Sequence, residues 1–111
     1  MKILCLCEGG NVRSGQLSWW LKAAGHDALA AGVSWNTPET IAMLSAWAEI
    51  ITVGEEHLAE RVPEEHRHKI TLDFVVGPDV WGVPVIPQLQ DKYVPAIKDK
   101  GWYGPDIRYP F

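Results

Sequence analysis

Apolar positions along this chain alternate between two rhythms. Lys2 to Cys7 carries a short continuous apolar run, Ile3-Leu4-Cys5-Leu6, closed by Gly9 and Gly10. That pattern predicts a buried strand. Beyond it, Leu17, Trp20, Leu21 and Ala24 recur at helical spacing, with Ser14 as the expected N-cap and Gly25 as the stop. His26 to Val33, with Ala28, Leu29, Ala30 and Ala31, reads as a second strand. Thr37-Pro38 opens a second helix, threonine as cap and proline at the first position. Ile41, Leu44 and Ala48 form its apolar face. Glu49 to Val53 is a compact, β-branched third strand. Glu55 to Arg61 is predicted as a short helix ended by Pro63, and Lys69 to Phe74 as a fourth strand. Val75 to Pro84 is a loop by its glycines and prolines. Pro87 to Lys100 forms a final helix with Leu89, Tyr93, Ala96 and Ile97 inward, and Pro95 is expected to kink or split it. Gly101 to Phe111, aromatic and proline-rich, reads as an irregular tail.

Strands that alternate with helices predict an α/β fold: a four-stranded parallel sheet with helices on both faces and right-handed crossovers. The 111 residues suit one domain. The loops after the first and fourth strands leave the same carboxyl edge, where open α/β sheets bind ligands. A net charge of −4 offers no basic face for a nucleic-acid backbone, so no nucleic-acid partner is expected. No run reaches membrane-spanning length, so no membrane partner is expected either. Cys5 and Cys7 are expected to face apart along the first strand, without a disulfide between them. That cysteine usage, with no signal-type start, points to a reducing cytoplasmic setting.

The chemistry concentrates in Cys7-Glu8-Gly9-Gly10-Asn11-Val12-Arg13-Ser14. Five residues between a cysteine and an arginine can curl so that backbone N–H groups converge as an anion nest. The helix that follows adds its free N–H groups and positive dipole end. Arg13 can lay two parallel N–H donors on phosphate oxygens, which lysine cannot do. The same positive groups favour the thiolate of Cys7, and the Ser14 hydroxyl can donate to it. Glu8 to Ser14 are thus the expected phosphate-binding residues, and Cys7 the nucleophile. Cys5 fits a buried structural thiol. Asp79 is the candidate general acid for a leaving phenolate, with Asp73 as its rival. A Pro-Asp turn alone would also account for Asp79. Trp35 and Trp81 fall in loops on the ligand edge and could flank an aryl ring, whereas Trp19, Trp20 and Trp47 sit on helices and suit packing. His57, His66 and His68 match no closed zinc ligand set, so no metal is expected. The glycines lack the Lys-Ser/Thr pair of a nucleotide-binding P-loop.

With these residues in place, the chain resembles the low-molecular-weight protein tyrosine phosphatases. Their Cys-x5-Arg-Ser signature, directly after the first strand, is matched by Cys7, Arg13 and Ser14. Ala31-Gly32-Val33-Ser34-Trp35-Asn36 is similar to their Ser-Ala-Gly turn and the pocket aromatic after it. Ala46 to Ile51 is similar to the approach to their third strand, and Asp79-Val80-Trp81-Gly82 to their Asp-Pro-aromatic acid loop. The resemblance spans most of residues 1–95 and implies a phosphocysteine intermediate without any cofactor. The partner it implies is a phosphotyrosine-containing protein or a small aryl phosphate, with inorganic phosphate as product. The chain departs from the pattern in having Gly10 for asparagine, Val12 for a second cysteine and Val80 for proline. Arsenate reductase chemistry would need resolving cysteines beyond Cys7. A phosphocysteine carrier resembling a sugar phosphotransferase IIB domain shares the glycine-bearing loop but needs neither Arg13 nor Asp79. A non-catalytic phosphate-binding module is the remaining alternative.

Overall fold

The computed structural model describes residues 1–10, 12–78 and 87–102. Lys2–Cys7 forms β1, Asp27–Gly32 β2, Ile50–Val53 β3 and Ile70–Thr71 β4. The helices are α1 (Arg13–Ala23), α2 (Pro38–Trp47) and α3 (Pro87–Asp99). All strands are parallel, in the order β2-β1-β3-β4. The fold is therefore α/β, with strands covered on both sides.

β1 lies inside the sheet, and its residues from Ile3 to Cys7 are all buried. A strand buried on both faces has no need of polar alternation, which is why its sequence is a continuous apolar run. Its side chains still alternate in direction. Ile3 and Cys5 pack with Leu17, Trp20 and Leu21 of α1 and with Leu89, Tyr93 and Ile97 of α3. Leu4 and Leu6 pack on the other face with Ile41 of α2, Leu58 and Val62. Cys5 and Cys7, two residues apart, consequently point to the same face and not to opposite ones as expected. Both are free thiols.

The strand order has a consequence for ligands. The chain leaves β1 toward β2 by way of α1, then crosses back over β1 to β3 by way of α2. α1 and α2 lie on opposite faces, so β1 and β3 flank the switch point at the carboxyl edge, where open α/β sheets bind ligands. Cys7 ends β1 at that edge.

Two elements differ from expectation, and one takes a tighter form. The fourth strand is two residues long, not six. Thr71 ends it: its hydroxyl donates to Asp73 Oδ2 at 2.8 Å and accepts from the Asp73 N–H at 3.4 Å. Such local side-chain bonds compete with a ladder, and Leu72 turns out to solvent, half exposed. The short helix expected after β3 is present as a 3₁₀ helix, Glu56–Arg61, and a second one, Glu64–Lys69, follows Pro63. α3 runs through Pro95 without a break. Leu89, Tyr93 and Ile97 recur every four residues along α3 and are at most 1% exposed. That continuous buried stripe outweighs the one backbone bond that proline removes.

Candidate active site

The loop between β1 and α1 is shaped by contact with β2. Gly10 has φ +72°, a left-handed conformation that costs glycine little. A Cβ on Gly10 would fall 2.3 Å from Gly32 N, and a Cβ on Gly32 would fall 2.3 Å from the Gly9 carbonyl carbon. The loop and the end of β2 therefore meet backbone to backbone. Neighbouring bonds stitch the same seam: Val33 N–H donates to Cys7 O and Ser34 N–H to Glu8 O, both at 3.0 Å. Ser34 Oγ donates to Glu8 Oε1 at 2.6 Å.

This shape brings two hydrogen-bonding groups onto the cysteine. Gly10 N–H donates to Cys7 Sγ at 3.1 Å, and Ser14 Oγ lies 3.0 Å from the same sulfur. Cys7 and Ser14 are each 2% exposed, so the sulfur sits at the floor of the loop. The sequence placed Ser14 as the N-cap of α1. Instead, Val12 holds that position, no side chain caps the helix among the described residues, and Ser14 is inside α1. Its hydroxyl serves the sulfur. Side-chain caps normally satisfy the first N–H groups of a helix; leaving them to other acceptors suits an anion site.

Cys5, by contrast, is walled in. Burial pushes its thiol up to about 12, against a small opposing hydrogen bond from Thr52. Tyr93 of α3 is raised too, first by burial and then by Cys5 and Cys7 nearby, with Arg13 opposing. The core of α3 thus lies under the loop.

Arg13 is fully buried and reaches the segments that follow β3 and β4. Its Nη1 donates to Glu55 Oε1 at 2.6 Å and to Gly77 O at 2.7 Å. Gly54, between β3 and Glu55, makes room: a Cβ there would stand 3.5 Å from Arg13 Cδ and 3.3 Å from Cys7 Cβ. Gly54 O also accepts from Val76 N–H and Gly77 N–H, which pins the segment after β4 beside Arg13. Neither Glu55 nor Gly77 was singled out in the sequence. The one available signal was a Gly-Glu pair directly after a strand, on the ligand edge.

Trp35 is 82% exposed, and its Nε1 lies 3.9 Å from the Cβ position of Gly9. The indole therefore lies beside the loop and open to solvent. Asp73 does not approach the loop through its bonds. Its partners are Thr71 and Lys100, with Lys100 Nζ 2.6 Å from Oδ2. The Lys100 hydrogen bond, then the Thr71 one, holds its carboxyl below the usual range. Asn11, Asp79 and Trp81 lie outside the described residues.

Comparison with protein families, curated proteins and solved structures finds no match to this chain. Its chemistry has to be read from the loop and what surrounds it. Among the described residues, no group of three or more His, Cys, Asp or Glu is placed to hold a metal ion. No helix among them is long and apolar enough to cross a membrane.

Proposed function

We propose that this chain is a cytoplasmic phosphomonoester hydrolase of the low-molecular-weight protein tyrosine phosphatase type. The observation that carries the reading is the setting of Cys7: its sulfur lies 3.0 Å from a hydroxyl and 3.1 Å from a backbone N–H, where a strand opens onto a helix N-terminus. A hydroxyl and an amide aimed at one sulfur are donors for a thiolate. A buried structural thiol such as Cys5 has no need of both.

In this reading the phosphate of an aryl ester enters the loop. Backbone N–H groups of residues 8–13 and the Arg13 guanidinium take its equatorial oxygens, where transition-state charge resides. Cys7 Sγ attacks phosphorus in line, and an S–P bond forms as the bond to the leaving oxygen breaks. Asp79 gives its proton to that oxygen. Water then attacks the thiophosphate while Asp79 takes back a proton. The S–P bond breaks, inorganic phosphate departs, and the thiolate returns to Ser14 and Gly10. Trp35, with Trp81, would flank the aryl group of a phosphotyrosine-containing protein or small aryl phosphate.

The test is hydrolysis of an aryl phosphate in the presence of chelator by wild type and Cys7→Ser. Sustained turnover by wild type, lost in Cys7→Ser, is the expected result. One equivalent of product and no more would mark a phosphocysteine carrier. Equal rates in the two proteins would remove Cys7 from the chemistry.

A further inference from the structure

Glu55 meets Arg13 under cover. The Arg13 side chain is fully buried and that of Glu55 is 19% exposed, so their 2.6 Å pair is shielded from the screening that weakens surface ion pairs. The contact uses Nη1, as does the bond to Gly77 O. The Nε–Nη2 edge of a guanidinium is the other place where two parallel N–H donors can meet an oxyanion. The far oxygen of Glu55 faces His57, whose Nδ1 is 3.5 Å from Oε2.

Two effects follow from one carboxylate. It fixes the guanidinium from behind, so that little reorientation remains when an anion arrives. It also places a negative charge beside the cation that the anion uses, and with both side chains so little exposed such a charge acts strongly. An arginine without that counter-charge would hold inorganic phosphate as well as the transition state. Uniform tightening of that kind does not speed turnover and slows release.

We propose that Glu55 is a positioning residue for Arg13 and that its charge keeps the loop's affinity for oxyanions low, so that phosphate leaves after each cycle. This rests on the reading of the Cys7 loop as an oxyanion site.

The experiment measures the inorganic phosphate concentration that half-protects Cys7 from iodoacetamide, a neutral reagent, in wild type, Glu55→Gln and Glu55→Leu. Aryl phosphate turnover is followed in parallel. The glutamine oxygen still accepts from Nη1 but carries no charge. In Glu55→Gln the half-protecting concentration should fall roughly tenfold, the scale of one near charge removed, and turnover should become more sensitive to added phosphate. Leucine offers no acceptor. In Glu55→Leu, kcat should fall roughly 10²-fold below that of Glu55→Gln, the usual result of a misplaced group, with KM changing far less. An unchanged half-protecting concentration in Glu55→Gln would overturn the proposal. So would equal kcat in the two variants. Should Glu55→Leu fail to fold by thermal melting, the Glu55→Gln protection decides alone. Protection of wild type without turnover would remove the hydrolase and leave the affinity comparison standing. No protection of wild type at any concentration would remove both.

Discussion

Gly10 and Gly32 meet so closely that a Cβ on Gly10 would lie 2.3 Å from Gly32 N. This contact sets the loop against β2 and directs Gly10 N–H at the Cys7 sulfur. Gly32→Ala should therefore push the loop away from β2. It should cost stability on the scale of an overpacked site, about 1–3 kcal/mol, and should abolish phosphate protection of Cys7. Thermal melts and protection assays check this. A Gly32→Ala protein that binds phosphate as wild type does would contradict the seam.

The two thiols should differ sharply in reactivity. Cys5 is buried and pushed up to about 12. Only Cys7 has a hydroxyl and an amide on its sulfur. Near pH 6, iodoacetamide should label Cys7 first, and phosphate or vanadate should slow that labelling. Peptide mapping reads the two sites separately. Equal slow labelling of both would argue against an activated Cys7.

Ser14→Ala removes one of the two donors from the sulfur. A hydrogen bond to a charged group contributes about 1.5–3 kcal/mol, so a loss of roughly 10- to 100-fold is expected. The loss should fall on the second chemical step, where the thiolate is the leaving group. Phenol release in rapid-mixing experiments should then show a burst followed by a steady rate slower than that of wild type. Slowing without a burst would place the serine elsewhere in the cycle.

Much of this was legible in the sequence because it is local. The continuous apolar run of β1, the Thr37-Pro38 start of α2 and the Cys7-Arg13-Ser14 spacing each lie within one short stretch. Ser14 shows the limit: its type fits a cap, but a nearby sulfur took its hydroxyl and Val12 became the cap position. β4 shows another, since Thr71 and Asp73 bond each other and end the ladder where propensity would continue it. Glu55 and Gly77 are 42 and 64 positions from Arg13. Only the order of strands brings them together, and no local pattern encodes that order.

Asp73 and Asp79 should separate cleanly. Lys100 and Thr71 hold the Asp73 carboxyl below its ordinary range. A lowered carboxylate contributes stability that is present above the unfolded value of about 3.9 and is lost as pH falls through the folded one. The stability gap between wild type and Asp73→Asn should thus be seen at neutral pH and close in acid. It should be small, because the group is exposed. Asp73→Asn should leave turnover of phenyl phosphates alone. Asp79→Asn should slow poor leaving groups by roughly 10²–10⁴ and activated ones much less. If Asp73→Asn gave the leaving-group dependence, the acid would be the wrong carboxylate.

The phosphocysteine itself is the most direct test. Wild type is mixed with an aryl phosphate, quenched in acid during turnover, digested and mapped for a phosphoryl group. The account predicts one phosphoryl group per chain at most, on the Cys7 peptide, while free phosphate accumulates over many turnovers. A phosphoryl group that persists on Cys7 after one equivalent of product, or hydrolysis that continues with Cys7 unmodified at every quench time, would contradict it.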